Sequence, residues 1–147
     1  MKKIIISKCL LGEKVRYDGG HCSLRGDYLA RLKNKYELIP ICPEVASGLG
    51  TPRDPIEFTD GDIVSLAGEN ITAKFNPVME ELEHIIKRDK IKMAIMKEKS
   101  PSCGVNYIYD GTFSGKITEG SGLITSLFKR LGVEVYSEED VAKILNK

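Results

Sequence analysis

The chain contains no apolar stretch approaching the roughly 18 residues that a membrane-spanning helix requires, and its start, Met1-Lys2-Lys3-Ile4-Ile5-Ile6-Ser7, carries too short an apolar run for a secretory signal. A cytoplasmic protein is therefore expected. An excess of either charge is also missing: 22 Lys and Arg against 21 Asp and Glu leave a formal net charge of +1. Such a chain offers no general field for a polyanion, so only a local cluster of basic residues would support a nucleic-acid partner. Its four cysteines include no close-spaced C-x2-C pair, the usual mark of structural zinc. Of its two histidines, His84 falls within a helical pattern, and only His21, next to Cys22, is in a glycine-rich loop that could approach a site. No repeat, low-complexity segment or long linker divides residues 1–147, which suit a single domain able to bury about 68–70% of its unfolded surface without disulfides.

What is present is an apolar pattern whose period changes repeatedly along the chain. Four short runs, 3–7, 36–41, 91–96 and 133–136, read as buried strands. Between them, Leu24, Tyr28, Leu29 and Leu32 predict one helix, with Gly26 inside it. Asn76-Pro77 predicts the capped start of a second, which carries Val78, Leu82, Ile85 and Ile86 on one face and basic residues near its end. A third begins near Ser121, buries Leu123, Ile124, Leu127, Phe128 and Leu131, and stops at Gly132. Ser137 and Asp140 form a capping-box pattern ahead of Val141, Ile144 and Leu145. The fold class expected is α/β, a three-layer αβα sandwich around a mostly parallel sheet. Two hairpins are expected as additions: residues 63–66 returning through 71–73, and Tyr107-Ile108-Tyr109 turning tightly at Asp110-Gly111 into Thr112-Phe113.

Cys9, Cys42 and Cys103 each follow one of the predicted strands, beside Gly, Pro or Ser. If those strands are parallel neighbours, their exits converge on the crevice where open α/β sheets bind ligands. In a reducing compartment, grouped cysteines indicate metal or catalysis rather than cross-links. The spacing leaves catalytic zinc and an iron–sulfur cluster both open; a cubane held by three cysteines would have one iron without a protein ligand, an open Lewis-acid position. The same loops carry Arg16-Tyr17-Asp18-Gly19-Gly20, Glu44, Arg53 and Ser100, so Arg16, Tyr17, Asp18 and Arg53 are candidates for holding a substrate. Gly120-Ser121-Gly122 precedes a helix and could bind an anion there, although it is not a complete phosphate fingerprint.

The segments Ser7-Lys8-Cys9-Leu10-Leu11-Gly12, Arg16-Tyr17-Asp18-Gly19-Gly20, Ile41-Cys42-Pro43-Glu44-Val45, Lys99-Ser100-Pro101-Ser102-Cys103-Gly104 and Tyr109-Asp110-Gly111-Thr112-Phe113-Ser114-Gly115, with the late glycine-rich turn, together resemble the DUF523 family, which includes the thiouracil desulfidases. The resemblance runs over nearly the whole chain. It implies a [4Fe-4S] cluster on Cys9, Cys42 and Cys103, and removal of sulfur from a thiolated uracil, a small-molecule base, without net redox change. It also implies that Glu44 and Ser100 handle protons. Lys8 stands where a small residue is expected, and Cys22 has no counterpart.

A cluster with three thiolates is anionic, so a carboxylate two residues from a ligand meets like-charge repulsion and partial desolvation, both of which favour its protonated form and suit acid–base work. On this reading Glu44 takes a proton from an attacking water, and Ser100 orients the substrate or relays a proton to the ring nitrogen. Two other readings stand beside it: a sulfide carrier or partner in sulfur transfer and cluster assembly, and a non-catalytic module that binds a nucleotide at Gly120-Ser121-Gly122. The substrate of the first reading is a free thiobase, a nucleoside or a thiolated tRNA.

Overall fold

A computed structural model describes residues 1–20, 22–24 and 26–146. Eight strands and five α-helices follow one another as β1 (Lys2–Ser7), α1 (Gly26–Lys35), β2 (Tyr36–Ile41), α2 (Pro43–Ala46), β3 (Ile56–Thr59), β4 (Asp62–Ser65), α3 (Asn76–Asp89), β5 (Met93–Met96), β6 (Tyr107–Tyr109), β7 (Ile117–Glu119), α4 (Leu123–Arg130), β8 (Glu134–Ser137) and α5 (Val141–Leu145). The four predicted buried strands are β1, β2, β5 and β8, and they form one sheet in the order β2-β1-β5-β8 with every pairing parallel. Pro40 fits within β2 because β2 is an edge strand, where a missing N–H costs no ladder bond on the open side.

Side chains alternate across the sheet and both faces are covered. Ile5, Ala94 and Met96 pack with Val78, Leu82, Ile124 and Phe128, from α3 and α4. Ile4, Ile6 and Ile95 face the other way, onto Leu32 of α1 and Val141 and Ile144 of α5. This is the expected αβα sandwich; each fully buried Ile or Phe contributes about 1.5–3 kcal/mol through removal of apolar surface from water. A third core joins the β3-β4 hairpin to Phe75 and Leu123, with Phe75 and Ile63 fully buried.

Helix ends follow the sequence signals with two exceptions, at Asn76 and Gly26. Ser137 and Asp140 make a complete capping box, and Gly132 takes φ 81 just past α4. Asn76, expected as a cap, is instead the first helical residue of α3, at φ −57 and ψ −48, because a 3-10 turn over Thr72–Phe75 runs directly into the helix. Gly26 opens α1 rather than interrupting it.

Both hairpins differ from expectation in their pairing. β4 pairs antiparallel with β3, upstream, through the Asp60-Gly61 turn, both residues of which have positive φ. Residues 71–73 return onto β4 without forming a strand: a single bridge joins Val64 and Asn70, Ile71 N donates to Ile63 O at 2.9 Å, and the chain then enters the 3-10 turn at Thr72, whose Oγ1 takes the Ile63 N–H. β6 pairs with β7, so Asp110–Lys116 is an open loop and Thr112-Phe113 is not the returning strand.

Candidate active site

The strand order places a switch point between β1 and β5: the chain leaves β1 for β2 on one side, then crosses to β5 on the other. Ligands of open α/β sheets bind outside the carboxyl ends at such a point. Ser7, the last residue of β1, is buried and ties the two strand ends together, its Oγ accepting from Lys97 N at 3.0 Å. Beyond them lies a cavity of about 470 Å³ lined by residues from the loops that follow β1, β2 and β5, among them Cys9, Cys42 and Cys103. The predicted convergence of the three thiols on one cavity therefore holds.

Each thiol arrives by a different local device. Cys9 lies in a 3-10 turn over Lys8–Leu11 that Gly12 closes at φ 89, donating its N–H to Cys9 O. Cys42 is the residue before the short helix α2, whose Pro43 occupies the first helical position. Cys103 is carried by the Ser100–Gly104 loop. Burial, and then the neighbouring thiols, push the Cys9 thiol far up; Lys97 only partly opposes this. Burial also pushes Cys103 up to about 12, against the Ser7 and Ser102 hydroxyls. Cys42 is raised by burial and by Glu44, while the N–H groups of Val45 and Glu44 and the Arg53 charge pull the other way. Thiols in such surroundings stay protonated and inert unless a metal takes the proton's place. Among the described residues no group of three Cys, His, Asp or Glu side chains closes around a single-ion position.

The Ser100–Gly104 loop is fixed from two sides. Glu98, only 4% exposed, accepts the N–H groups of Val105, Asn106 and Tyr107 on Oε1 at 2.7, 2.8 and 3.0 Å, and Asn106 Nδ2 on Oε2 at 3.0 Å. Burial alone would raise its proton affinity, but these donors outweigh it and hold the carboxyl below the usual glutamate range. From the other side, the first N–H groups of α4 donate into the loop: Leu123 N to Pro101 O, and Ile124 N to Ser102 O at 2.9 Å. Gly122 makes this approach feasible, since a Cβ there would lie 2.5 Å from the Ser102 carbonyl carbon. These bonds also remove the anion site proposed at Gly120-Ser121-Gly122, because the helix N-terminus is already spent on loop carbonyls.

Glu44 sits between a cation and two hydroxyls. Arg53 Nη2 reaches its Oε1 at 3.1 Å, with the two side chains only 8% and 12% exposed. On the other oxygen, Ser102 Oγ donates to Oε2 at 3.0 Å and Ser100 Oγ at 3.4 Å. Ser100 Oγ also accepts from Cys103 N at 3.0 Å and Ser102 N at 3.3 Å, so it shapes the cysteine loop as well as facing the carboxylate. Ser102 is fully buried, and its Oγ is 3.6 Å from Cys103 Sγ. Arg53 Nε is buried without a hydrogen-bond partner.

Of the substrate-binding candidates, Arg16, Tyr17 and Arg53 line the cavity; Asp18 does not, and its Oδ1 accepts Gly20 N at 2.8 Å to close the turn. Tyr17 O accepts Arg53 N, linking the two loops. Lys8 lines the cavity, while Cys22 packs into the second core with its N–H on Cys9 O at 2.9 Å. His84 is on the exposed face of α3, and His21 lies outside the described residues. Sequence reasoning passed over Glu57, Lys97, Glu98 and Ser102, whose importance depends on tertiary partners. Lys97 is half-buried at the cavity and ion-paired to Glu138 at 2.8 Å. Burial disfavours its charge, but Glu138 and the nearby thiols more than restore it.

Among the described residues no helix is long and apolar enough to cross a membrane. The sequence is 35% identical to the Bacillus subtilis (strain 168) "Uncharacterized protein YbbK", with 97% of this chain and 99% of that protein covered. The fold superposes with a TM-score of 0.90 on a solved structure of the [4Fe-4S]-dependent thiouracil desulfidase TudS (DUF523Vcz), 39% identical with 99% of both chains covered. Residues 4–140 match the sequence model of the 2-thiouracil desulfurase family, and the chain with Cys9, Cys42 and Cys103 gathered on one cavity belongs to that family.

Proposed function

We propose that this protein removes sulfur from a free thiolated uracil by hydrolysis, with a [4Fe-4S] cluster held by Cys9, Cys42 and Cys103. The observation that carries the reading is one cavity lined by three thiols, those of Cys9 and Cys103 buried and that of Cys42 half-buried, together with the Glu44–Ser100 pair. The donor set suits a cubane better than a zinc ion. Thiolates on three different irons stand farther apart than thiolates on one ion, and the three thiols surround a cavity rather than a single point. When bound, the cluster would supply one iron without a protein ligand, a Lewis-acid position for the thiocarbonyl sulfur.

The chain's own residues account for the rest. Glu44 accepts a proton from a water attacking the thiocarbonyl carbon, so that a carbon–oxygen bond forms as the carbon–sulfur π bond opens. Arg53 fixes Glu44 through Oε1, leaving Oε2 with the hydroxyls. The carbon then expels sulfur as hydrosulfide and regains a double bond, now to oxygen. Carbon keeps its oxidation level, and water supplies every atom gained. Ser100 lies between Glu44 and the cysteine loop, where its hydroxyl can orient the base or relay the proton to the ring nitrogen. Arg16 and Lys97, both at the cavity, compensate charge that develops on the base.

Anaerobic reconstitution followed by assay on 2-thiouracil and 4-thiouracil tests this reading. The expected result is uracil and sulfide in equal amounts, from protein carrying about four irons and four sulfides per chain. Stable zinc without iron, or a full cluster that releases no sulfide from either thiobase, would overturn it. Sulfur recovered on an added acceptor instead of as free sulfide would favour a transfer role.

A further inference from the structure

One family-like motif is left without work by the scheme above: the Tyr109–Gly115 segment. Within it, Phe113 has φ 57. A bulky side chain in the left-handed region is an outlier and persists only where the surroundings impose it. Here they do. Glu57, 8% exposed, accepts the N–H groups of Gly111 at 2.9 Å and Phe113 at 3.2 Å, while Asp110 Oδ1 accepts Thr112 N at 3.0 Å. The loop is also pressed onto β3, where a Cβ on Gly111 would lie 2.6 Å from Thr59 Cβ.

This anchoring does not serve the packing of the fold. The half-buried Phe113 ring is not among the described side chains that build or flank the three cores. It lines the same cavity as Glu44, Ser100 and the three thiols. The mouth of that cavity is apolar as well: Tyr17, Leu66 and Tyr109 line it while remaining 42%, 57% and 37% exposed. Exposed apolar surface gathered at one cavity marks a binding site, and aromatic faces suit flat heterocycles.

We propose that Phe113 is a specificity-determining residue whose ring, held by the Glu57-anchored loop, forms the platform for the flat face of the substrate's pyrimidine. The proposal rests on the desulfuration reading. It makes ring planarity, besides the sulfur, a requirement for binding.

The test uses the anaerobic holoenzyme with 2-thiouracil and its 5,6-dihydro analogue, which keeps the polar groups but loses the flat aromatic ring. Wild type should prefer the flat substrate. Phe113→Leu should raise KM for 2-thiouracil by roughly 10-fold, within the range of a lost base–aromatic stack, with a smaller effect on kcat and on the dihydro analogue. Phe113→Tyr should restore most of the loss. Phe113→Gly should show the same KM defect with an unchanged or higher melting temperature, because glycine relieves the left-handed backbone, and with unchanged iron content. An unchanged KM and substrate preference in Phe113→Leu, or a lowered melting temperature in Phe113→Gly, would overturn the platform. Calorimetric titration of the same proteins with uracil and dihydrouracil separates this result from the chemistry. Absent turnover in wild type would refute desulfuration, whereas uracil binding that depends on the Phe113 ring would still support the platform.

Discussion

The two oxygens of Glu44 face different partners, and this predicts how substitutions divide between chemistry and structure. Glu44→Gln keeps a side chain of the same shape against Arg53 and the two serines. It should retain iron and fold while kcat falls by about 10²-fold or more, the scale of a lost acid–base group; iron analysis with steady-state assay checks both, and near-normal turnover would demote Glu44 to a structural ion pair. Replacing Cys9, Cys42 or Cys103 by Ala should in each case remove most of the iron. Cys22→Ala should not, because Cys22 faces the second core and its bond to Cys9 runs through the backbone. Ser100 and the cysteines were legible in the sequence because they sit in long motifs. Ser102 lies in the same motif, yet nothing local marks it, although its hydroxyl is closer to Glu44 than that of Ser100, at 3.0 against 3.4 Å. A buried serine gains a role only from the group it meets, and Glu44 is 58 residues away in the chain.

At the level of elements, the sequence signals that worked were local ones. Short apolar runs locate the four parallel strands, and the Ser137–Asp140 box locates the 3-10 turn that leads into the last helix. The hairpins show where local signals stop. Asp-Gly occurs three times, at Asp18-Gly19, Asp60-Gly61 and Asp110-Gly111, and at Asp60-Gly61 it makes the tight turn the dipeptide favours, with β3 and β4 in register on either side. At Asp110-Gly111 the same pair opens a loop: the Thr112 N–H, which would close a two-residue turn, donates instead to Asp110 Oδ1, and the Glu57 carboxylate takes the N–H groups of Gly111 and Phe113 on either side. A buried carboxylate controls the cysteine loop in the same way. Glu98→Gln keeps the size but loses the charge that strengthens bonds from three backbone N–H groups, and should cost about 2 kcal/mol at neutral pH. Because the folded carboxyl lies below its ordinary value of 4.5, its contribution is complete above that value and disappears as pH falls through the depressed one. Urea unfolding of wild type and Glu98→Gln should therefore show a constant gap near neutrality that closes only at acid pH. A gap that widened toward acid would mean that the carboxyl is protonated in the folded protein.

For the molecule as a whole, parallel order decides everything else about the site. Residues 9, 42 and 103 are far apart in sequence, yet β1 lies between β2 and β5, so the three carboxyl-terminal exits are adjacent. The order itself is not fixed by the apolar runs, which specify strands but not neighbours; from sequence, the convergence of the exits holds only on the condition that those strands are parallel neighbours. The cavity so formed, of about 470 Å³, is lined by side chains that include Arg16 and Arg53, whose cations are held locally by Tyr17 and Glu44. Recognition of tRNA would need a basic face that contacts several phosphates, and each such contact releases counterions and makes binding steeply dependent on salt. With 22 basic against 21 acidic residues, the chain has no overall charge to provide that face. Turnover of free thiouracil should accordingly change little, by about 2-fold or less, between low and physiological salt, as expected when no phosphate contacts are made. Thiolated tRNA should be a poor substrate in the same assay. Faster, salt-sensitive release of sulfide from 4-thiouridine in tRNA would instead mean that the basic residues cluster into a surface that the net charge conceals.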